Sequence, residues 1–452
     1  MRIESLLSAR LFLSPQLVGG RLYFVSNQSG RLSLYSMDTT PGGSVPVPLL
    51  PADIAMQNPQ LVDGYSFYLF PKLRKILVML DHDGDENYQP MFIPIDGGYP
   101  QPAFGSQLAN TRVHLLQCDA DQNLAYFNAE SRTEQKFTAY QGDLARGQLL
   151  KLGESRWGCS VSGVNDDQTK VTLSDGYTEG DIVVYLWQEN GGNRRLLYGT
   201  PLESRKPGQT VPPNAIGECH FTARDRGLLF TTALFSDSYG LGYLNLQSPD
   251  KVQPVKITGT VHKGAGELVA CRHLNKNRYA LEYNIDGCSW LYEGAFDENP
   301  RTMKLDAVIC GKGTLANGVL ESMFYDRKSD TFALSFSTAT SPTQLYTVGG
   351  RRREAVAQLT RERVLGIQTE WLSAGEDASF TSFDGQRVSA RLYLPAPALG
   401  FHGPRPLVYY VHGGPQSQER PNFAWFSMPL IQFLSLNGFA VFVPNARGST
   451  GY

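Results

Sequence analysis

The sequence predicts a mainly β protein, in which a β-propeller of roughly seven blades is followed by the first part of an α/β domain. Strand-like segments recur at intervals of roughly 50 residues, a spacing within the range of propeller blades. Turn signals separate these segments. Near the end of the chain the pattern changes to two fully apolar strands that flank a helical segment, which indicates a parallel sheet covered by helices.

The blade prediction depends on period-2 segments rich in Val, Leu, Tyr and Phe. They begin near Tyr23, Ile76, Leu124, Val171, Leu228, Tyr279 and Phe332. Several are followed by a second strand-like run, at Met91–Ile95, Ile182–Trp187, Gly240–Leu246, Ser289–Phe296 and Gln344–Val348. Each short sheet needs neighbours to bury its faces, so this recurrence favours radial closure. A β-sandwich or several separate β domains are the alternatives, but a sandwich rarely sustains one period over roughly 350 residues.

Local signals support these segments. Ser14–Gly20 is echoed by Asn58–Gly64, and each copy precedes an aromatic-rich run, at Leu22–Val25 and at Phe67–Phe70. This is the clearest repeat in the sequence. Turns are predicted at Asp83-Gly84, Asp96-Gly97-Gly98, Asp175-Gly176 and Asn190-Gly191-Gly192.

The composition changes near Gly349, and we predict a propeller over residues 1–360, a linker over residues 361–374 and the α/β domain over residues 375–452. Arg351–Val364 is charged and has a more helical pattern without a blade-like strand pair. Its three arginines, Arg351–Arg353, could bind an anion, although a solvated linker is the favoured interpretation of so short a cluster.

The predicted α/β domain begins with a hairpin. Phe380–Phe383 and Val388–Leu394 are expected to pair across Asp384-Gly385. Leu407–Val411 and Phe439–Val443 are then expected as parallel strands, joined by a helix at Ser427–Leu436 with Gly438 as its C-terminal glycine.

Composition excludes several classes of function. The net charge of −2 provides no global basic field for nucleic acid or an anionic membrane, and no apolar run approaches the length of a membrane span. Six scattered cysteines and an N-terminus without a secretory signal favour a reduced, cytoplasmic protein. No motif indicates a metal or a cofactor. Asp81–Glu86 invites a calcium interpretation but lacks the EF-hand spacing; Asp83 and Glu86 could instead contact a substrate amine.

The most informative motif is His412-Gly-Gly-Pro415, directly after a predicted buried strand. Successive glycines permit backbone conformations that other residues avoid and let the chain approach a ligand closely. At this place in an α/β-hydrolase, such a loop directs a backbone N–H toward the oxyanion of a tetrahedral intermediate. A simple tight turn is the alternative interpretation.

At this motif the chain resembles a known family. Leu407–Pro415 and Val441–Tyr452 resemble the prolyl oligopeptidase family of serine peptidases, most closely its acylaminoacyl-peptidase-like branch. Shorter matches to the same family lie upstream, at Asp81–Tyr88, Ser341–Tyr346, Ser382–Gly385 and Leu392–Pro395. The resemblance implies a propeller that caps an α/β-hydrolase domain, with the active site between them and access restricted to short peptides.

The resemblance also implies roles for individual residues. Gly414 would offer its N–H to the oxyanion, Gly413 would shape the loop, His412 would be structural, and Asn445–Tyr452 would lie near the active-site entrance. The resemblance implies that the protein hydrolyses short peptides or acylated amino-terminal residues through an acyl-enzyme. No cofactor is implied, and a homo-oligomer is compatible with the sequence.

The catalytic triad is the point of departure from the family. No G-x-S-x-G occurs in Met1–Tyr452, and the family order places the Ser, Asp and His beyond Tyr452. We therefore expect the hydrolase part to be incomplete and the 452-residue chain to be inactive by itself. Two other hypotheses stay open: a non-catalytic propeller that serves as a binding or scaffold module, and an esterase that uses the same loop.

Overall fold

The computed structural model describes residues 2–40, 45–414, 416–424 and 426–451. Within these ranges the chain forms seven consecutive four-stranded antiparallel blades, the fifth and sixth of which join through one parallel pairing into an eight-stranded sheet, and then a small mixed sheet. A short helix, α1 (Glu4–Leu7), precedes the first sheet. The roughly seven-bladed propeller and the start of an α/β domain predicted from the sequence are confirmed.

Each blade consists of four strands in chain order, from the channel outward. Blade 1 comprises β1 (Phe12–Val18), β2 (Arg21–Ser26), β3 (Ser33–Asp38) and β4 (Val47–Pro48), and blade 2 comprises β5 (Phe67–Phe70), β6 (Lys75–Leu80), β7 (Gln89–Pro94) and β8 (Gln101–Pro102). Blade 3 comprises β9 (Thr111–Asp119), β10 (Leu124–Ser131), β11 (Phe137–Asp143) and β12 (Gln148–Ser155). Blade 4 comprises β13 (Ser160–Val164), β14 (Lys170–Thr178), β15 (Asp181–Gln188) and β16 (Arg195–Tyr198).

Blades 5 to 7 comprise β17 (His220–Phe221), β18 (Gly227–Thr232), β19 (Gly240–Asn245), β20 (Gln253–Thr258); β21 (Gly266–Asn275), β22 (Arg278–Ile285), β23 (Cys288–Asp297), β24 (Thr302–Cys310); β25 (Gly318–Asp326), β26 (Thr331–Thr338), β27 (Ser341–Gly349) and β28 (Ala355–Gln358). Short 3₁₀ helices lie at Pro59–Leu61, Pro71–Leu73, Leu202–Ser204, Ala223–Asp225, Gly313–Leu315, Thr369–Trp371 and Pro397–Leu399.

The seven predicted period-2 segments are the second strands of the seven blades. The five predicted follow-on runs are the third strands of blades 2, 4, 5, 6 and 7. These strands lie in the middle of a blade, so both of their faces pack on neighbouring blades; β18, for example, is buried along its whole length. Their sequences are therefore the most apolar in each repeat, which explains why they were recognised and the outer strands were not.

Two local predictions were wrong. In the echoed repeat, Ser14–Gly20 contains most of β1, whereas Asn58–Gly64 holds a 3₁₀ helix whose N-cap, Asn58, accepts a hydrogen bond from the N–H of Gln60. The two copies therefore do not occupy equivalent places. Asp175-Gly176 lies inside β14 rather than in a turn, because the Asp175 carboxylate is buried against the guanidinium of Arg194 at 2.8 Å.

The ring closes where β1 packs against blade 7. The N–H of Phe12 donates to Oγ1 of Thr343 at 2.8 Å, and the hydroxyl of Ser335 donates to the carbonyl of Phe12. The N–H of Ser14 donates to Oγ of Ser322 at 2.9 Å. Buried apolar side chains of blades 1 and 7 form one cluster around these contacts. Each of these two blades is built from four consecutive strands, so no strand from one end of the propeller completes the blade at the other end. Closure thus depends on side-chain hydrogen bonds and packing.

The helical pattern predicted for Arg351–Val364 was also wrong. Residues 355–358 form β28, the outermost strand of blade 7. Ahead of it, Arg353 is buried, and its guanidinium pairs with Glu293 of blade 6 and with Asp330 of blade 7, the latter at 2.8 Å. It also lies over the ring of Phe332 at 4.9 Å. Arg353 is therefore an ionic clamp between two blades, whereas Arg351 and Arg352 are exposed.

The mixed sheet follows the propeller. Its strands are β29 (Glu376–Asp377), β32 (Ala390–Tyr393), β33 (Leu407–Tyr409) and β34 (Ala440–Pro444), in the order β29-β32-β34-β33, and the hairpin strands β30 (Phe380–Thr381) and β31 (Arg387–Val388) pair separately. β33 and β34 are parallel and are joined by α2 (Ser427–Leu436). The predicted helix and its C-terminal Gly438, at φ +90°, are confirmed, and the predicted hairpin pairs as expected.

Helix α2 covers one face of this sheet. Met428 and Ile431 are fully buried against Val441, Val443 and Tyr393, and Leu6 of α1 joins the same cluster. On the opposite face the apolar side chains of Leu407, Tyr409 and Val411 are exposed, and among the described residues β33 pairs on one edge only. None of the helices in the described ranges has the length and apolarity to cross a bilayer.

The Arg353 clamp gives a first prediction. Replacing Arg353 by Met leaves the Glu293 and Asp330 carboxylates without this cation, so unfolding should require about 3 kcal/mol less free energy. Arg352→Met is the matched control, because Arg352 is exposed, and its effect should stay within about 0.5 kcal/mol. Urea unfolding of both variants measures the difference, and equal stabilities would contradict the clamp.

Candidate active site

Two loops meet at the carboxyl edge of the mixed sheet. β33 and β34 are parallel, so the loops that follow them, of which residues 410–414, 416–424, 426 and 445–451 are described, leave the sheet at the same edge. The first of these loops carries His412, Gly413 and Gly414. In open α/β sheets this edge is where ligands bind.

Gly414 is the residue of this loop with the strictest requirement for glycine. Its φ of +127° lies in the region that other residues rarely adopt, and a Cβ there would be 2.8 Å from Cβ of Ser417. A Cβ on Gly413 would meet nothing within 4 Å. Both glycines are exposed, and neither amide donates to any described residue. The Gly414 amide is thus not used by its own turn within the described ranges.

His412 is held between the two loops. Its Nδ1 lies 2.9 Å from the carbonyl oxygen of Gly413, and its Nε2 lies 3.0 Å from Oγ of Ser449. A carbonyl oxygen can only accept, so Nδ1 carries the proton and Nε2 accepts from the Ser449 hydroxyl. The imidazole therefore joins the glycine loop to the loop after β34.

Further hydrogen bonds keep these loops in register. The N–H of Thr450 donates to the carbonyl of Gln416 at 2.8 Å, and the N–H of Glu419 donates to Oδ1 of Asn445 at 3.1 Å. The Glu419 carboxylate is buried and accepts from the Ser427 hydroxyl at 2.6 Å. Burial raises the pKa of Glu419 above its ordinary value. The edge of the sheet is therefore a tightly bonded polar layer.

The propeller contacts this edge through blades 6 and 7. The N–H of Gly451 donates to Oε1 of Glu267 at 2.7 Å, and the side chain of Arg420 donates to Oγ of Ser289 at 2.9 Å. On blade 7, Oγ of Ser337 accepts from the N–H of Phe423 at 3.1 Å. Sequence reasoning did not single out Glu267 or Ser449 as partners, because hydrogen bonds between distant segments leave no periodic signal.

Glu321 is a half-buried carboxyl at this boundary. Its two oxygens accept from the Ser337 hydroxyl at 2.6 Å, from Nε2 of Gln60 at 2.7 Å and from Nδ2 of Asn422 at 3.5 Å. Burial raises its pKa above the ordinary 4.5, although these donors work in the opposite direction.

A cavity of about 1280 Å³ occupies the central channel and is lined by all seven blades. Its walls include the C-terminal ends of the innermost strands, such as Gln16–Val18 and Gln117–Asp119. The contacts with the mixed sheet lie at the opposite ends of these strands, at Glu267 and Glu321. The cavity therefore opens at the mouth of the channel that is distant from the glycine loop.

The acidic segment after β6 lies apart from this polar layer. Asp83 is exposed, and Glu86 lies 3.7 Å from the guanidinium of Arg112. No contact between either residue and the glycine loop occurs among the described residues, and no group of three metal-ligating side chains is present there. The structure leaves the substrate-amine role of these two residues as a prediction.

The fold has well-defined relatives among solved structures. A puromycin-hydrolysing peptidase from Mycobacterium tuberculosis aligns with TM-score 0.71 and 13% identity, over 100% of this chain and 68% of that chain. One of two prolyl endopeptidases aligns with TM-score 0.71 and 14% identity, over 99% of this chain and 63% of that chain. An acylaminoacyl peptidase from Pyrococcus horikoshii aligns with TM-score 0.64 and 15% identity, over 98% and 66%.

These alignments confirm the resemblance at the level of the fold. The chain has a propeller and the first part of an α/β-hydrolase fold, as these three enzymes do, and it spans 63–68% of the length of those three chains. No family model and no curated protein matches the sequence. At such identities the likeness describes architecture, and activity has to be argued from the site.

The Glu321 carboxyl gives a pH prediction. Its pKa is higher in the folded protein than in the unfolded chain, so its contribution to stability is complete below about pH 4.5 and is lost as the pH rises through the folded value. Glu321→Gln should therefore lose less stability than the unmodified protein between pH 4.5 and pH 7.

Urea unfolding midpoints at both pH values measure this difference. Glu189→Gln, an exposed change on blade 4, is the control and should follow the unmodified protein. A pH dependence that is identical in all three proteins would show that Glu321 does not titrate in this window.

Proposed function

We propose that this chain provides the propeller and the oxyanion-binding wall of a serine peptidase that hydrolyses short peptides or acylated amino-terminal residues. The supporting observation is the Gly414 amide, which is exposed at the carboxyl edge of the sheet and has no acceptor among the described residues. An unused backbone N–H at this edge suits the negative charge that develops on a carbonyl oxygen during acyl transfer.

The proposed reaction divides between this chain and groups it lacks. A serine hydroxyl would add to the scissile carbonyl, a histidine would take its proton, and the oxyanion would accept from Gly414 and from a second amide beside the nucleophile. Because residues 1–452 contain no G-x-S-x-G, we propose that the nucleophile lies outside them. Gly413 allows the loop to reach the reacting carbonyl.

The propeller supports the choice of short peptides. Its contacts with the mixed sheet surround the loop edge on the side of blades 6 and 7, so a substrate would have to enter between the domains or through the channel. Either route would favour short peptides over folded proteins. An oxyanion loop serves ester and amide substrates alike, which keeps an esterase as the alternative to be tested.

Paired glycine variants of the complete gene product test the oxyanion role. Gly414→Ala places a Cβ against Ser417 at an unfavourable φ and should lower kcat about 100-fold on an acyl-aminoacyl anilide, with little change in KM. Gly413→Ala is the matched control, because its Cβ would enter open space, and it should cost only a few-fold in rate.

The same assay distinguishes the alternatives. Turnover of p-nitrophenyl esters without turnover of anilides would favour the esterase, and an unmodified protein inactive on both would overturn the proposed function. Equal rates for the two glycine variants would remove Gly414 from the oxyanion site while leaving peptidase activity intact.

Fluorophosphonate labelling locates the nucleophile. The 452-residue chain expressed alone should remain unlabelled, whereas the complete gene product should be labelled on a serine outside residues 1–452. Mass spectrometry of the labelled peptide identifies the serine. A label within this chain would contradict the assignment.

A further inference from the structure

A continuous line of contacts runs from the loop after β34 to the peptide group that carries the Gly414 amide. Ser449 donates from Oγ to Nε2 of His412 at 3.0 Å, and Nδ1–H of His412 donates to the carbonyl of Gly413 at 2.9 Å. That carbonyl and the N–H of Gly414 belong to one peptide unit.

Peptide geometry converts this contact into an orientation. The unit is planar, and in the trans form its C=O and N–H point in opposite directions. A hydrogen bond that fixes the Gly413 oxygen toward the His412 ring therefore fixes the Gly414 N–H to point away from that ring. Glycine at both positions gives this peptide unit more rotational freedom than any other pair would, so an external constraint is needed.

The same contact strengthens the donor. A hydrogen bond accepted by a carbonyl polarises the amide to which it belongs, and the N–H of that amide becomes a better donor. Ser449 is buried, and its own N–H donates to Ala446 at 3.0 Å within a tight turn. Its hydroxyl therefore holds the imidazole at Nε2, while the acceptor-only carbonyl of Gly413 requires the proton on Nδ1.

We propose that His412 and Ser449 are positioning residues that orient and polarise the Gly413–Gly414 peptide for oxyanion binding. This inference rests on the proposed function. It assigns to His412 and Ser449 a part of the stabilisation that the Gly414 amide gives to the oxyanion in the transition state. The serine–histidine pair also has the form of a nucleophile with its base. Ser449 is however buried, and the Nδ1 partner is a backbone carbonyl rather than the orienting carboxylate of a triad.

Kinetics of the complete gene product test the proposal. His412→Ala should lower kcat about 10-fold on an acyl-aminoacyl anilide, while KM stays within about twofold. The loss is smaller than the roughly 10²–10³-fold decrease in kcat expected when an oxyanion donor is removed altogether, because the Gly414 amide is still present. His412→Asn places an amide N–H near the position of Nδ1 and should restore most of the rate. His402→Ala, an exposed histidine of the same domain, is the control.

Ser449→Ala is the independent second variant. It keeps the imidazole but removes the hydrogen bond that holds its Nε2, so the ring is less firmly oriented and kcat should fall about threefold without a change in KM. Should His412→Ala fail to fold by circular dichroism, Ser449→Ala and His412→Asn decide the question.

Every outcome has a consequence. The positioning role is overturned if the unmodified protein is active and its His412→Ala and Ser449→Ala variants keep the same kcat, even if their KM changes. The proposed function would then still stand. An unmodified protein without activity overturns both. Fluorophosphonate labelling at Ser449 would make that serine a nucleophile and would also overturn the positioning role.

Discussion

The closure of the ring between blades 1 and 7 is the contact on which the rest of the structure depends. A blade buries its apolar faces only against neighbours, so an open array would expose the faces of two blades to water. Here the backbone of Phe12 is held by Thr343 and Ser335, with an apolar cluster around it. Closure also brings the two ends of the propeller together, since the N–H of Arg10 donates to Glu362 after blade 7. Helix α1 can therefore pack against α2 and join the core of the mixed sheet.

The same side of the ring carries the mixed sheet. Blades 5 and 6 are joined at their outer edges by a parallel pairing of β20 with β24, and Arg353 clamps blade 6 to blade 7. This stiffened part of the propeller provides Glu267, Ser289 and Ser337, which bond to the sheet edge. A displacement of the propeller would therefore act on both loops: through Glu267 on residues 445–451 with Ser449, and through Ser289 and Ser337 on Arg420 and Phe423. The oxyanion-binding geometry that we propose is thus connected to the docking of the two domains.

The limits of the sequence-based predictions have physical causes. Period-2 segments identified the middle strands, because those are buried on both faces, but edge strands such as β28 carry little apolar signal and Arg351–Val364 was misassigned. The burial of Arg353 depends on Glu293, which is 60 residues away in the chain, so composition alone indicated a solvated linker. For the site, the glycines were recognisable from their motif, and His412 was recognised as a loop residue. Its bond to Ser449 was not, since that contact exists only when two parallel strands deliver their loops to one edge.

By itself the sequence determined the approximate number of blades and the spacing of their middle strands. It also determined the strand–helix–strand unit with its terminal Gly438 and the pair of glycines after β33. These features follow from local rules, in which burial sets the apolar period and a positive φ selects glycine. Only the tertiary structure decided how the ring is closed, which blades dock on the mixed sheet and what holds the peptide between Gly413 and Gly414. Those features depend on hydrogen bonds and ion pairs between segments distant in the chain. Such contacts are set by the packing of the whole fold rather than by the residues next to them.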